Sequence, residues 1–153
     1  MRRCRTYPSE LIVSSVSGVV LFVCDQILKA VALTTEYEYR CLTNDFICFG
    51  LTQNDRSAFG LFAVGSGVFM LLIPVLLVAV NIILLNFVAR PYSIYVVMLF
   101  SVGALSNWFD RLRLGYVIDY FGIRIPTANL ADACILFAVG VLIYGLNRSK
   151  NFR

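Results

Sequence analysis

Asp119 and Asp132 are carboxylates placed where a hydrophobic chain has least reason to put them. Asp132 lies in the run Asn129-Leu130-Ala131-Asp132-Ala133-Cys134-Ile135-Leu136-Phe137, which otherwise reads as the start of a membrane helix, and Asp119 lies between two apolar segments in Tyr116-Val117-Ile118-Asp119-Tyr120-Phe121. A charged carboxylate at the centre of a membrane helix costs roughly 2.5–3.5 kcal/mol on insertion scales, so each is a functional-site hypothesis by default. Two aspartates held close share one proton, because like charges cannot both ionise cheaply. The ionised member takes a proton from water while the protonated member donates to a carbonyl oxygen, which hydrolyses a peptide without metal, nucleophile or cofactor. The chain has no histidine, which excludes Ser/His/Asp and Cys/His catalysis. The usual zinc sites lack their imidazoles, and no CxxC pair replaces them.

The elements that must position these acids are apolar. Of the 153 residues, 59% are hydrophobic and 14% charged, with a mean hydropathy of +0.81; a soluble domain would be about a quarter charged. Four stretches carry no charge, Leu11–Cys24, Ser57–Ala89, Pro91–Phe109 and Ala133–Asn147. A membrane span needs about 20 mostly apolar residues. The expectation is an all-α membrane protein with four transmembrane helices near Leu11–Leu33, Leu61–Ala89, Ile94–Leu112 and Ala128–Asn147, forming one domain over residues 1–153. Pro74 is a candidate kink in the second helix. A secretory signal reading of Met1-Arg2-Arg3-Cys4-Arg5 and the apolar run after it fails, since no small-x-small site follows and Asp25-Gln26-Ile27-Leu28-Lys29 continues the helix.

Orientation follows from Lys and Arg near the span ends. Arg2, Arg3, Arg5, Arg90, Arg148, Lys150 and Arg153 fall on one side, and Arg40, Arg56, Arg111, Arg113 and Arg124 on the other. The richer side is assigned to the cytoplasm, with both termini. Asp25, Lys29, Asn54, Asn107, Asp110, Arg111, Asp119, Asn129 and Asp132 then converge on the outer leaflet. The net charge of +4 reflects topology and requires no nucleic-acid partner. The connecting segments Tyr37–Thr43, Phe46–Thr52, Tyr116–Phe121 and Ile123–Ile125 are rich in β-formers, and suggest a small extracytoplasmic sheet roofing a site at the helix ends. Cys41 and Cys48 face each other across the first pair and are able to bond in an oxidising space, although connectivity cannot be read from sequence.

With these motifs in place, the chain resembles the bacterial lipoprotein signal peptidase (signal peptidase II) family nearly end to end. Asp25-Gln26-Ile27-Leu28-Lys29 is similar to that family's D-Q-x-x-K. Asn54-Asp55-Arg56-Ser57-Ala58-Phe59-Gly60 resembles its N-x-G-A-A-F-G. Asn107-Trp108-Phe109-Asp110-Arg111 with Gly115-Tyr116-Val117-Ile118-Asp119-Tyr120 resembles N-x-x-D-R…G-x-V-x-D-F, and Asn129-Leu130-Ala131-Asp132 the N-x-A-D box. The resemblance implies an intramembrane aspartyl endopeptidase of the bacterial inner membrane. Such an enzyme removes the signal peptide of a diacylglyceryl-modified prolipoprotein, cutting before the lipidated cysteine. By position, Asp119 and Asp132 take the catalytic pair; Asn54, Asn107, Arg111 and Asn129 line or order the site, supported by Asp25 and Lys29. Membrane lipids and lipidated prolipoproteins are the expected partners, with no cofactor or metal, and a monomer suffices.

Three positions depart from the family pattern. Arg56 stands where the family has glycine, Ser106 replaces the glycine before Asn107, and Ala128 an aromatic before Asn129. Each assignment also has a plainer rival. Asp25 and Lys29, spaced i,i+4 with the acid first, form a favourable intrahelical ion pair. Asp110 reads as an interfacial charge reaching water, Asp132 as a helix cap, Asp119 as a turn residue, and Trp108 and the tyrosines as interfacial belt residues. Two other functions remain: a small ion or proton transporter subunit, and an inactive relative that binds lipoproteins without cutting them.

Overall fold

Pro8 opens the first helix, where its missing N–H is no loss and its fixed φ suits the first turn. In the computed structural model, which describes residues 8–34, 40–42, 47–55, 67–87, 92–122 and 127–150, this helix, α1, runs Pro8–Thr34 with Glu10 in its first turn. It ends where Thr34 Oγ1 lies 3.1 Å from the carbonyl oxygens of Ala30 and Val31, two of the acceptors a helix end leaves unsatisfied. Three further helices follow: α2 Gly67–Phe87, α3 Tyr92–Leu114 and α4 Leu130–Lys150. Pro74 lies inside α2, where it removes one backbone donor from the ladder. At the end of α3, Gly115 adopts φ +83° and its N–H donates to the Arg111 carbonyl at 3.0 Å. This left-handed cap favours glycine and turns the chain into the next strand.

The strands are β1 Arg40–Leu42, β2 Ile47–Asn54, β3 Val117–Gly122 and β4 Thr127–Ala128. They form one antiparallel sheet in the order β1-β2-β3-β4, in which β2 pairs Thr52 with Asp119 and Asn54 with Val117. A register shift between Phe49 and Thr52 bends β2 at its middle. Val117, Ile118 and Asp119 are all buried. Successive strand residues point to opposite faces, so both faces of β3 are covered at this point. Cys41 and Cys48, whose pairing the sequence left open, are disulfide-bonded as a register pair joining β1 to β2.

The chain is mostly helical with a small sheet, close to the expected architecture. Among the described residues one helix, Ser9–Thr34, is long and apolar enough to cross a membrane; Leu72–Leu84 and Leu130–Tyr144 are shorter apolar helices. Ala128, expected to open the last helix, lies in β4 instead, because Asn129 caps that helix and sets its first turn at Leu130. Gly122, which falls between two of the expected strand pieces, is the last residue of β3. Residues 61–66 of the second expected span, the segment Ile123–Ile125 and Arg56 lie outside the described residues, as do Arg2, Arg3, Arg5, Arg90, Arg124 and Arg153 of the orientation argument.

α3 is the central helix, packed against α1, α2 and α4. Its sites of closest approach use glycine. A Cβ on Gly103 would collide with the Ala131 carbonyl of α4 and the Ile135 side chain, and one on Gly18 of α1 would press on Met98 and Val102. Away from the sheet, Leu84, Val96 and Ala138 form a buried apolar cluster joining α2, α3 and α4. The helices also turn apolar side chains outward: Ile12, Val19, Val75 and Leu136 are 62, 64, 63 and 74% exposed. Exposed apolar surface on this scale marks a partner surface or a membrane.

Candidate active site

The polar residues gather at the sheet-side end of the helices, where α3 supplies one face of them. Ser106, Asn107, Asp110 and Arg111 are neighbours there because residues three and four apart share a helix face. The start of α4 supplies Asn129 and Asp132, α1 supplies Asp25, Gln26 and Lys29, and β2 and β3 supply Asn54, Asp119 and Tyr120.

Asn129 and Asp132 cap α4 reciprocally. The Asp132 N–H donates to Asn129 Oδ1 at 2.9 Å, and the Asn129 N–H donates to Asp132 Oδ2 at 3.3 Å. This is the capping-box arrangement with an aspartate in the third helical position. Capping therefore holds Asp132 in place without using up its other oxygen, which accepts Asn107 Nδ2 at 2.7 Å. Asp119 is fully buried and accepts three donors. Asn129 Nδ2 reaches its Oδ1 at 2.9 Å, while Asn54 Nδ2 and Thr127 Oγ1 each reach its Oδ2 at 3.0 Å. Asn129 Nδ2 also lies 3.1 Å from Asn107 Oδ1. The two amides Asn107 and Asn129 thus link the two carboxylates.

A second cluster fixes the first. Lys29 Nζ lies 2.8 Å from Asp25 Oδ2 and 2.8 Å from Asp110 Oδ2, with all three residues buried. It also donates to Asn107 Oδ1 at 3.0 Å. An ammonium only donates, so it must face the oxygen of that amide, which leaves the Asn107 NH₂ to Asp132. Ser106 Oγ donates to Asp25 Oδ2 at 2.6 Å and accepts from Gln26 Nε2 at 2.9 Å. Asp25 Oδ1 takes the Ala131 N–H at 3.2 Å and the Tyr120 hydroxyl at 3.2 Å, and that hydroxyl accepts the Leu130 N–H at 2.8 Å. Burial lifts the Tyr120 hydroxyl well above its ordinary value, so it stays protonated as a donor. Arg111 Nη1 donates to the Asn107 carbonyl at 3.3 Å, one turn back along α3.

All eight residues singled out in the sequence, Asp25, Lys29, Asn54, Asn107, Arg111, Asp119, Asn129 and Asp132, lie in this linked set. Asp110 departs from its expected place as an interfacial charge. It is 2% exposed, and its carboxylate takes Lys29, Gln26 Nε2 at 3.0 Å and the Ile118 N–H at 3.3 Å. It turns inward because it shares the face of Ser106, one turn earlier. Tyr120 is no belt residue, because its hydroxyl is spent between Asp25 and the start of α4. Asp119 is a strand residue rather than a turn residue. Ser106, which in sequence is only a small replacement for glycine, is a buried link, and Thr127 carries no role that the sequence reveals. The signal for Ser106 is its i,i+4 spacing to Asp110; for Thr127 there is none, since β4 is two residues long.

The two carboxylates, one from a helix start and one from a strand, are thus linked through Asn129 and Asn107. Among the described residues there is no cluster of His, Cys, Asp or Glu suited to a metal ion.

Residues 18–148 match the family described as signal peptidase (SPase) II. A lipoprotein signal peptidase of Thermodesulfovibrio yellowstonii is 28% identical over 144 residues, covering 88% of this chain and 95% of that protein. One from Pseudomonas paraeruginosa is 30% identical over 145 residues, covering 86% of each. One from Moorella thermoacetica is 39% identical over 99 residues, covering 61% of this chain and 64% of that protein. A bacterial membrane enzyme solved by the in meso method at 2.3 Å superposes with a TM-score of 0.75 at 20% identity, over 100% of this chain and 96% of the other. A second, solved at 1.9 Å, gives 0.69 at 22% identity, over 95% of this chain and 97% of the other. These likenesses carry the fold, and the sequence match carries the family. With a match spanning most of its length, the chain belongs to the signal peptidase II family.

Proposed function

We propose that the protein is a lipoprotein signal peptidase that cleaves with an aspartyl pair, Asp119 and Asp132, at the outer face of a bacterial inner membrane. The observation that carries this reading is the amide link between the two carboxylates: Asn129 donates to Asp119 at 2.9 Å and Asn107 donates to Asp132 at 2.7 Å, with Asn129 and Asn107 bonded to each other at 3.1 Å. Family membership and the relatives' activity support the substrate class, a prolipoprotein carrying diacylglycerol on the cysteine that follows the scissile bond.

In this mechanism the acyl chains lie in the bilayer against the outward apolar faces of the helices, and the signal helix lies along α2 to α4. The ionised aspartate takes a proton from water as it adds to the scissile carbonyl, and the protonated aspartate donates to the carbonyl oxygen. The tetrahedral intermediate collapses, releasing the signal peptide and a new N-terminal lipidated cysteine. Asn54, Asn107, Asn129 and Arg111 hold carboxylates and peptide in register, and Asp25 with Lys29 supports them from α1. The pair titrates as a unit, so neither residue owns a separate pKa.

The four helices are read as four spans, with both termini cytoplasmic and the whole chain as one domain. The Cys41–Cys48 disulfide supports placing the sheet outside, since such bonds persist in oxidising compartments. The reading takes the protein as a monomer. A transporter would need polar groups along the helices, whereas the described ones concentrate at one end, with Asn81 and Ser101, bonded at 2.8 Å, and Ser14, bonded to its own helix, further along α2, α3 and α1.

The test is cleavage of a diacylglyceryl-modified prolipoprotein by the purified protein in lipid or detergent, beside Asp119→Asn and Asp132→Asn, with an unlipidated substrate as control. We expect wild type to cut only the lipidated substrate, and each variant to lose activity by about a thousandfold or more. Full activity in either variant would remove the acid pair; a folded but silent wild type would point to the inactive, lipoprotein-binding relative.

A further inference from the structure

We propose that Thr127 is a positioning residue for the reaction: its hydroxyl completes a set of three donors that keeps Asp119 the ionised member of the pair, leaving the shared proton on Asp132. This inference rests on the acid-pair reading above and assigns the two roles within it.

The two carboxylates are not equivalently solvated. Asp119 Oδ2 takes Asn54 Nδ2 and Thr127 Oγ1, both at 3.0 Å, and its Oδ1 takes Asn129 Nδ2 at 2.9 Å. A carboxylate oxygen offers two lone-pair sites, and on Oδ2 both are filled, one of them by an NH₂ group that cannot accept. A proton placed on that oxygen would displace a donor or force the Thr127 hydroxyl to turn and accept. Asp132 receives two donors. One is short, Asn107 Nδ2 at 2.7 Å to Oδ1, and one long, the Asn129 N–H at 3.3 Å to Oδ2. Each acid keeps a lone-pair site that no described donor fills, Asp119 on Oδ1 and Asp132 on both oxygens, so the asymmetry lies in the donors themselves: three near 3.0 Å to Asp119, against one short and one long to Asp132.

Burial alone would oppose a charge on Asp119, but three donors replace the water it has lost, and hydrogen bonds to an ionised acceptor are about twice as strong as neutral ones. The surrounding charges do not reverse the preference. Asp119 feels Asp132 from α4 and Arg111 from α3; Asp132 feels Asp119 from β3, Lys29 from α1 and Arg111 from α3, with Tyr120 of β3 nearby. Lys29 is already paired with Asp25 and Asp110. Arg111 acts most strongly on Asp132, ahead of Asp110 and Asp119, and Lys29 also acts on Asp132; both cations favour charge there, and in the proposal the three hydrogen bonds to Asp119 outweigh them. The N-terminus of α4 favours an anion at Asp132, by less than a hydrogen bond to a charged group contributes.

Thr127 is placed for this by pairing: β4 lies beside β3 with Thr127 opposite Gly122, and Ala128 opposite Phe121. The residue touches the acid rather than the substrate, so its effect must appear in ionisation.

The experiment is the pH profile of kcat/KM for the full-length protein on a lipidated prolipoprotein, which reports ionisations of the free enzyme. Wild type is compared with Thr127→Val, Thr127→Ala and Thr127→Ser, with Asp119→Asn and Asp132→Asn alongside. We expect Val and Ala to raise the acid limb by about one pH unit, the scale of one lost hydrogen bond to a charge, with the alkaline limb in place. Serine, which keeps the hydroxyl, restores the wild-type limb. A downward acid limb in the Val and Ala variants would mean that Thr127 accepts a proton from Asp119, and would overturn the assignment. An unmoved acid limb, a shifted alkaline limb, or a serine variant that behaves like valine would overturn it too. Retained activity in Asp119→Asn or Asp132→Asn would instead sink the acid-pair reading itself, whatever position 127 does.

Discussion

The sheet-side end of the helices and their apolar bodies are held together by opposite means. At the sheet-side end, Asp25, Lys29, Ser106, Asn107, Asp110, Asp119 and Asn129 are buried and joined by directional bonds of 2.6–3.4 Å. Further along the helices the buried cluster is Leu84, Val96 and Ala138, and much of the large apolar surface faces outward. A soluble protein would bury that surface and expose the charges. The contrast teaches which part specifies geometry. Apolar packing against lipid tolerates many arrangements, whereas a hydrogen-bonded set of this density has few, so the proposed acid pair sits where the fold is least free to vary.

The comparison breaks most sharply at Lys29. Lys29→Met leaves two buried carboxylates without their cation, and losing one partner of a buried ion pair costs about 3–5 kcal/mol. Thermal unfolding in detergent should show a larger drop for Lys29→Met than for Leu84→Ala or Tyr120→Phe. Adding Asp25→Asn and Asp110→Asn should recover much of the stability, because the uncompensated charge is gone, but not the activity, because Asn107 has lost the charged one of the two donors that orient it. Recovery of both would mean that the cluster only holds the fold.

In the apolar body, Leu84→Ala removes a buried side chain from a core of few members. The expected cost is about 2 kcal/mol, at the low end for such truncations, with cleavage per folded molecule unchanged. A loss of activity at constant fold would join the two regions more tightly than their chemistry suggests.

The smallest effect is expected at Tyr120. Tyr120→Phe removes a donor to Asp25 and an acceptor for the Leu130 N–H, for about 1 kcal/mol. Because burial raises this hydroxyl above its ordinary 10.0, its stabilising contribution is complete below that pH and declines above it. The stability difference between wild type and Tyr120→Phe should therefore shrink as the pH passes about 10. A difference that stays constant would place the contribution in packing of the ring.

Much of this is legible in the sequence, for a physical reason. Asp119, Asp132, Asn107 and Asn129 stand out because polar groups in apolar surroundings are costly, Asn54 stands out only by its resemblance to the family's N-x-G-A-A-F-G, and the four helices stand out because charge-free runs are long. Asp110 escapes a sequence reading because an acid at a helix end looks solvated until the partner on another helix is known. Ser106 and Tyr120 are common residue types whose partners are 81 and 95 positions away in the chain, a distance no local pattern spans. Hydropathy starts α4 two residues too early because a cap is set by hydrogen bonds. β4 is too short for alternation to show.

Gly103 gives the site a caliper. Its missing Cβ lets the backbone of α3 lie against the Ala131 carbonyl and Ile135, one residue before Asp132 and two after Asn129, and one turn before Asn107 on its own helix. The gap that Asn107 must bridge to reach both is therefore gauged by a position that contributes no functional group. Any side chain there would wedge the first turn of α4 away from α3. In the apolar body a small displacement is absorbed by neighbouring side chains, but at this point it would open the bonds on which both acids depend. Position 103 sets a tolerance for the chemistry while taking no part in it.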